Sequence, residues 1–214
     1  MTANHKFFFF LAFQIAGKNL GKTGLNPSVG SIVVNNDTVI SSGVTSINGR
    51  PHAEFNALNK VKNTAGSTLY TSLEPCVHQG KTPPCTDIII KKKIRNVFFG
   101  LEDPDLRTFK KAKKILSSKG IVTKLIRSKK YDNFYRSYLI NKKFNIPFIS
   151  AKIAMSKDNL TINKKDKWIT NTFSRKIVHL IRSKHDGIIS TSKSINYDNA
   201  LLNCRIEGLN KHKP

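Results

Sequence analysis

The sequence feature that most constrains this chain is one histidine with two cysteines: His52, Cys76 and Cys85. One imidazole and two thiolates hold a tetrahedral Zn²⁺ and leave one position open for water. The chain has only three cysteines, so a metal site here takes two of them and argues against a disulfide framework. We therefore expect a fold that brings residues 52, 76 and 85 to one point, in a reducing, cytoplasmic compartment.

An open coordination position makes such a zinc site hydrolytic. Bound Zn²⁺ lowers the pKa of its water to about 7, and a nearby base must carry the released proton to the leaving group. Glu54 lies two residues after His52, too close to share a helical face with it. We therefore place His52 at a helix start, with the Glu54 carboxylate directed at the water.

The order of these residues is typical of zinc-dependent nucleobase deaminases. His-x-Glu followed by Pro-Cys and a second Cys is their signature, and its Glu is a proton shuttle that does not bind the metal. The sequence therefore predicts Glu54 as the catalytic residue and His52, Cys76 and Cys85 as the zinc ligands.

Other interpretations of the same residues remain open. Cys76 and Cys85 could form a structural zinc clip or be ordinary buried thiols. His78, two residues after Cys76, could bind the metal in place of His52; otherwise it would face the substrate or brace the loop.

Residues 74–85, read EPCVHQGKTPPC, resemble the deaminase domain of the bifunctional riboflavin-biosynthesis deaminase/reductase family. Nucleobase deaminases commonly have Cys-x-x-Cys, whereas eight residues separate the two cysteines here. The resemblance extends to residues 26–30, read NPSVG, to residues 51–54, read PHAE, and to Asp103-Pro104. It implies a cytidine deaminase-like α/β fold, a mixed sheet with helices on both faces.

The resemblance also implies a substrate. The family deaminates 2,5-diamino-6-(5-phosphoribosylamino)pyrimidin-4-one to 5-amino-6-(5-phosphoribosylamino)uracil in riboflavin biosynthesis. Residues that match Asn26, Lys81 and Asp103 help to hold this phosphorylated pyrimidine, and we assign Lys81 to its phosphate. Asn26 and Asp103 could instead serve only as turn formers.

The hydrophobic pattern independently predicts an α/β fold. A hairpin followed by alternating strands and helices indicates a mixed sheet covered on both faces. We expect helices at 6–18, from 52 onward, and at 85–92, 109–118 and 131–143, and strands at 31–34, 38–40, 68–73, 96–99 and 121–125. Helical spacing predicts that the first helix buries Phe8, Leu11, Ala12 and Ile15.

Pro147 marks a domain boundary, because a helix should end before the residue that precedes a proline. We divide the chain into a zinc-dependent deaminase domain, 1–144, and a second portion, 145–214. The second portion resembles the start of the family's dihydrofolate reductase-like α/β domain. We expect it to be truncated, with strands at 148–154 and 187–190 around one amphipathic helix.

Family residues of the reductase can be carried over to this second portion, with NADPH as the implied cofactor. Those that would lie near NADP are Ala154, Trp168, Ser194 and Asp198, and those that would face the substrate are Asp166, Arg182, Leu202 and Arg205. The sequence departs from the family pattern, for example in Asn159 where the family has Gly. These departures argue against reductase activity by this portion alone.

The net charge of +24 is compatible with nucleic-acid binding, because Lys and Arg neutralise phosphates. The lysines are scattered along the chain, however, and a basic surface also attracts a phosphorylated small molecule. We therefore do not expect a nucleic-acid partner. Deamination of another nucleoside, nucleotide or tRNA base is a second hypothesis, and a zinc-stabilised structural protein is a third.

Residues 7–13 resemble the apolar part of a signal peptide, but Gln14, Lys18 and Lys22 follow and no small-residue cleavage pattern appears. No apolar stretch approaches the length of a membrane span, so we expect no membrane partner. An incomplete second sheet would leave an unpaired edge, which favours association into a homo-oligomer.

Overall fold

The computed structural model describes residues 3–161 and 168–209. The chain forms two compact units, Met1–Phe148 and Ile149–Pro214, and we describe each by itself. The first unit contains α1 (Ala3–Gly17), β1 (Gly30–Asn35), β2 (Thr38–Val44), a short 3-10 turn (Ile47–Gly49), α2 (Ala53–Asn59), β3 (Thr68–Thr71), α3 (Cys85–Lys91), β4 (Asn96–Phe99), α4 (Lys111–Ser118), β5 (Val122–Leu125), α5 (Lys129–Phe134) and α6 (Arg136–Phe144).

The five strands form one mixed sheet in the order β2-β1-β3-β4-β5. Strand β1 pairs antiparallel with β2 and with β3, whereas β3, β4 and β5 run parallel. Strand β4 has the predicted limits, and the hairpin joins β1 and β2 as expected. The predicted mixed α/β sheet is confirmed.

Two hydrophobic clusters cover the two faces of this sheet. One is built on aromatic side chains from α1, β3, β4 and the α5–α6 segment: Phe8, Phe9, Phe13, Tyr70, Phe98 and Tyr135. The other joins the sheet to α2, α3 and α4 through aliphatic side chains: Val33, Leu58, Leu69, Ile89, Val97 and Leu116. Strand residues alternate between the faces, since Ile32 belongs to the first cluster and Val33 to the second.

The buried side of α1 differs from the prediction. Phe8 and Ala12 are buried as expected, but Leu11 and Ile15 are only partly buried. Phe9 and Phe13 are buried instead, and the Phe13 ring stacks on Tyr131 with 4.2 Å between ring centroids. The partner rings of α5 therefore determine which side of this very apolar helix is covered.

The single helix predicted at 131–143 is wrong, because the chain breaks at Tyr135 into α5 and α6. Tyr135 has φ −95° and ψ 11°, outside the helical region. Its side chain is 2% exposed. Its hydroxyl donates to the Ser28 carbonyl at 3.0 Å and lies 2.6 Å from the Ser72 hydroxyl. These buried hydrogen bonds fix the tyrosine where a continuous helix would not place it.

The second unit contains α7 (Thr172–Arg182) and α8 (Ser192–Asp198). Helix α7 is the predicted amphipathic helix, and the Asn171 side chain caps it by accepting from the Ser174 N–H at 2.8 Å. The strands predicted at 148–154 and 187–190 are absent from the described residues. Ile149 is 79% exposed and Ile189 98% exposed, so neither segment packs as a buried strand. Cys204 is buried.

Within the described residues, no helix has both the length and the apolar character needed to cross a bilayer.

Candidate active site

The three predicted metal ligands lie at the ends of regular elements on one side of the sheet. His52 is the residue before α2 and has an extended backbone, with φ −71° and ψ 161°. Cys76 lies in the loop after β3, and Cys85 is the first residue of α3. Pro84 ends this loop just before α3, where its fixed φ suits a helix start. The start of α2, the loop after β3 and the start of α3 thus position these three side chains.

The ligand atoms of His52, Cys76 and Cys85 lie within 4.8 Å of one another. The His52 Nδ1 atom is 3.5 Å from the Cys76 sulfur and 3.4 Å from the Cys85 sulfur. A tetrahedral zinc with Zn–S of about 2.3 Å and Zn–N of about 2.0 Å separates sulfur and nitrogen by about 3.5 Å. The donor set and its spacing therefore fit a zinc ion.

The pKa values of the two thiols shift in opposite directions. A hydrogen bond with Cys85, followed by one with His52, lowers the pKa of the Cys76 thiol to about 4. The contact with Cys76 and burial raise the pKa of the Cys85 thiol. The hydrogen bond to Cys76 also raises the pKa of His52. A cation bound here would displace the thiol protons, because metal binding to thiols releases protons.

Glu54 lies in the first turn of α2 and is 3% exposed. Burial raises the pKa of its carboxyl to about 7, and the charge of His52 opposes this shift. Its carboxyl group lines the same cavity as His52 and Cys76, which places it near the ligand cluster. Glu54 is therefore a buried carboxyl near the His52, Cys76 and Cys85 cluster, and its predicted role as an acid–base group stays a prediction.

Gly43 in β2 sets how close α2 approaches the sheet. A Cβ atom at Gly43 would lie 2.2 Å from the Ala53 carbonyl oxygen and 2.4 Å from the Ala57 nitrogen. Only glycine permits this contact. Glu54 lies in α2 and His52 immediately precedes this helix. The contact at Gly43 therefore fixes how far both side chains lie from the sheet.

His52, Glu54 and Cys76 line the floor of an open cavity with a volume of about 70 Å³. Its walls combine the predicted residues with charged and aromatic side chains from three loops and α6. The lining includes Asn26, Arg50, His52, Glu54, Glu74, Cys76, His78, Asp103, Asp105, Arg107, Tyr138 and Lys142.

Two of the three predicted substrate-binding residues line this cavity. The Asn26 amide nitrogen donates to the Gly49 carbonyl at 3.2 Å. The Asp103 carboxylate accepts from the Tyr138 hydroxyl at 2.8 Å and from the Asp105 N–H at 3.0 Å. Asp103 thus makes a turn-type contact with Asp105, whereas Asn26 bonds to a residue distant in sequence. Both residues line the cavity, so their roles in binding substrate stay predictions.

The third predicted residue, Lys81, is exposed and is not among the residues that line the cavity. Its role in binding phosphate stays a prediction. His78 lines the cavity, and its Nδ1 atom lies 3.2 Å from the Thr108 hydroxyl. The ligand cluster found among the described residues contains His52 and not His78, which favours His52 as the nitrogen ligand.

Glu74 is a site residue that the sequence analysis did not identify. Its carboxylate accepts three backbone N–H groups, from Asp103 at 3.2 Å, Lys110 at 3.1 Å and Ala112 at 3.0 Å. The last two lie at the start of α4, so Glu74 caps this helix. Glu74 thereby joins the cysteine loop to the Asp103 loop. Its position two residues before Cys76 was the only available sequence signal.

Three cations at the cavity were also missed: Arg50, Arg107 and Lys142. They come from separate segments, and no motif connects them. Arg107 and Lys142 both approach the Asp105 carboxylate, at 2.6 Å and 3.9 Å. Only the fold brings them to the same opening.

Residues 2–101 match the family described as the cytidine and deoxycytidylate deaminase zinc-binding region. The riboflavin biosynthesis protein RibD of Buchnera aphidicola subsp. Baizongia pistaciae is 37% identical over 203 residues, which cover 93% of this chain and 55% of that protein. RibD of Haemophilus influenzae is 34% identical over 198 residues, which cover 91% of this chain and 53% of that protein.

The chain belongs to the RibD family. A solved Thermotoga maritima structure, named as a diaminohydroxyphosphoribosylaminopyrimidine deaminase/5-amino-6-(5-phosphoribosylamino)uracil reductase, agrees with this assignment. Its TM-score is 0.87 at 30% identity, over 96% of this chain and 60% of that chain. The chain spans about half the length of the curated RibD relatives it matches. The cytidine deaminase-like fold is confirmed, and the family match and the His/Cys/Cys cluster support Zn²⁺.

The residues that the family resemblance assigns to a reductase lie in the second unit. Asp166 lies outside the described residues. Of the others, Ala154, Arg182 and Leu202 are half-buried, whereas Trp168, Ser194, Asp198 and Arg205 are exposed. Arg182 donates to the Asn203 carbonyl at 3.1 Å, and the Arg175 guanidinium lies over the Trp168 ring. Their roles stay predictions.

Proposed function

We propose that this chain deaminates 2,5-diamino-6-(5-phosphoribosylamino)pyrimidin-4-one to 5-amino-6-(5-phosphoribosylamino)uracil, a step in riboflavin biosynthesis. The observation that carries the proposal is the position of Glu54, a buried carboxyl beside the His52, Cys76 and Cys85 side chains at the floor of an open cavity. A structural zinc clip has no need of a buried acid or of a cavity beside the metal ligands.

In this proposal His52, Cys76 and Cys85 hold the zinc ion. When bound, zinc supplies Lewis-acid activation of a water molecule. Glu54 accepts a proton from the water and delivers it to the ring nitrogen next to the reacting carbon. A carbon–oxygen bond forms at that carbon. Glu54 then takes the remaining proton of the new hydroxyl group and gives it to the amine, the carbon–nitrogen bond breaks, and ammonia leaves as the carbonyl forms.

The cavity walls supply contacts for the rest of the substrate. The Asp103 carboxylate accepts hydrogen bonds and is held by the Tyr138 hydroxyl, so it can orient an amino group of the pyrimidine. Asn26 offers an amide at the same opening. The chain and its relatives share enough sequence to support this substrate, because the Thermotoga maritima structure carries the substrate class in its name.

We also propose, as a secondary activity, that residues 145–214 use NADPH as a cofactor. The similarity to RibD relatives continues into these residues, beyond the deaminase domain, 1–144. Oxidation of NADPH with the deaminated product tests this role directly. We also keep a homo-oligomeric state as a prediction, which light scattering of the purified chain measures.

A panel of substrates distinguishes the proposed function from its alternative. Zinc-loaded protein is incubated with the diaminopyrimidine ribotide, with cytidine, with dCMP and with tRNA, and released ammonia is measured. Ammonia from the ribotide alone supports the proposal. Ammonia from one of the other three, with none from the ribotide, supports the alternative deaminase.

A further inference from the structure

The cations that line the cavity are not equivalent. Arg107 donates from both Nε and Nη2 to the Asp105 carboxylate, at 2.9 Å and 2.6 Å. The Lys142 ammonium is 3.9 Å from the same carboxylate and lies over the Tyr138 ring. One carboxylate thus compensates two cations on this side of the opening, and the Arg107 side chain is 63% exposed.

Arg50 lies in a different position and has a different partner. Within residues 3–161 and 168–209 no carboxylate forms a salt bridge with its guanidinium. Its Nη1 atom donates to the Thr82 hydroxyl, a neutral acceptor. Arg50 is half-buried and lines the cavity, where its guanidinium is not engaged by a carboxylate in the way that Arg107 is.

The position of Arg50 relates it to both the metal ligands and the loop that holds the cysteines. It lies two residues before His52, and its charge is felt at the His52 imidazole. A Cβ atom built on Gly80 would lie 3.1 Å from the Arg50 Nη2 atom. Gly80 therefore leaves room for the guanidinium against the loop, with Lys81 on the same loop pointing to the exposed side.

We propose that Arg50 is a specificity-determining residue that binds the phosphate of the substrate and selects the ribotide over the riboside. This inference rests on the proposed function, since it concerns the same cavity. Guanidinium is suited to phosphate, because its planar fork donates two hydrogen bonds at once and keeps its charge. With Nη1 held by Thr82, the remaining N–H groups of Arg50 are available to an anion.

Steady-state kinetics on the ribotide and on its dephosphorylated riboside test the role of Arg50. The Arg50→Gln variant is expected to lose roughly 10- to 100-fold in kcat/KM for the ribotide, mainly through KM, because a charge-assisted hydrogen bond is removed. Its kcat/KM for the riboside is expected to stay within about threefold of wild type. Arg50→Lys, which keeps the charge, should recover part of the ribotide preference.

Two further variants separate phosphate binding from a purely structural role. Arg127→Gln makes the same chemical change at an exposed arginine paired with Glu102, and we expect it to leave the ribotide-to-riboside ratio unchanged. Thr82→Val removes the loop contact but keeps the guanidinium. If Arg50 only braced the loop, Thr82→Val and Arg50→Gln would reduce turnover of both substrates alike, and the inference would be overturned.

A binding measurement keeps this inference distinct from the proposed function. Ribose 5-phosphate is titrated into the zinc-loaded protein by calorimetry, which needs no turnover. Weaker binding by Arg50→Gln, with unchanged binding by Arg127→Gln, supports Arg50 even if the ribotide is not the substrate. The inference about Arg50 is overturned if wild type and Arg50→Gln bind ribose 5-phosphate equally. It is also overturned if only Lys81→Gln loses this binding.

Discussion

The backbone N–H of Cys85 donates to the sulfur of Cys76 at 3.2 Å. This bond closes the loop of residues 76–85 on itself, so both thiols meet His52 at the start of α3. The long loop therefore brings two thiols together beside a histidine, as Cys-x-x-Cys does in other zinc deaminases. Of the intervening residues, 77 to 84, His78 lines the cavity.

Replacing either cysteine of this pair should remove the metal. We expect Cys76→Ser and Cys85→Ser to be purified with little zinc, because a serine hydroxyl is not deprotonated at neutral pH and binds Zn²⁺ poorly compared with a thiolate. Elemental mass spectrometry measures the metal content. Cys204→Ala, a change in the second unit, is the matched control and should keep its zinc. Retention of zinc by both serine variants would contradict the assigned ligands.

Glu54→Gln should separate metal binding from turnover. The amide has almost the same shape as the carboxyl but cannot carry the proton, so we expect normal zinc content and a loss of roughly 10²- to 10⁴-fold in kcat. Glu102→Gln changes a glutamate paired with Arg127 and should have wild-type kinetics. Substantial turnover by Glu54→Gln would remove this residue from the mechanism.

Glu74→Gln should destabilise the first unit. Three backbone N–H groups donate to the Glu74 carboxylate, and these charge-assisted hydrogen bonds are lost in the variant. The glutamine NH₂ group would also face at least one of these N–H donors, and two donors cannot bond to each other. We expect a loss of about 1–3 kcal/mol in the free energy of unfolding, measured with urea. Asp132→Asn, on exposed α5 surface, is the control. Equal midpoints for the two variants would show that Glu74 does not join the loops.

Gly43→Ala should displace α2. The added methyl group would meet the Ala53 carbonyl oxygen at 2.2 Å, so the helix must move or the strand must bend. We expect a destabilisation of about 1–3 kcal/mol, together with weaker zinc binding because His52 moves with α2. Gly17→Ala, where a Cβ meets nothing within 4 Å, should have no such effect. Unchanged zinc affinity in Gly43→Ala would separate this packing contact from the site.

The sequence could predict those helices and strands whose hydrophobic residues recur with one clear periodicity and whose ends are marked by turn residues. Strand β4 between Asn96 and Phe99 was predicted to the residue. The break at Tyr135 could not be predicted, because its cause is a pair of buried hydrogen bonds to Ser28 and Ser72, both far away in sequence. The apolar segments at 148–154 and 187–190 had strand-like composition, but a strand also needs a paired neighbour.

The same distinction applies to the site. His52, Cys76 and Cys85 could be proposed as ligands because zinc chemistry restricts the ligand types and these residues lie in short motifs, and the structure brings their side chains together. Arg50 and Glu74 could not be identified, because arginine and glutamate are common at surfaces and their roles depend on distant partners. Thr82 and the start of α4 supply those partners.

The central claim is most directly tested by the product formed from the diaminopyrimidine ribotide in heavy-oxygen water. Zinc-loaded protein is incubated with the ribotide without NADPH, and the product is examined by mass spectrometry. We predict that one amino group is replaced by an oxygen from the solvent and that an equal amount of ammonia appears. Recovery of unchanged ribotide from folded, zinc-loaded protein would contradict the claim.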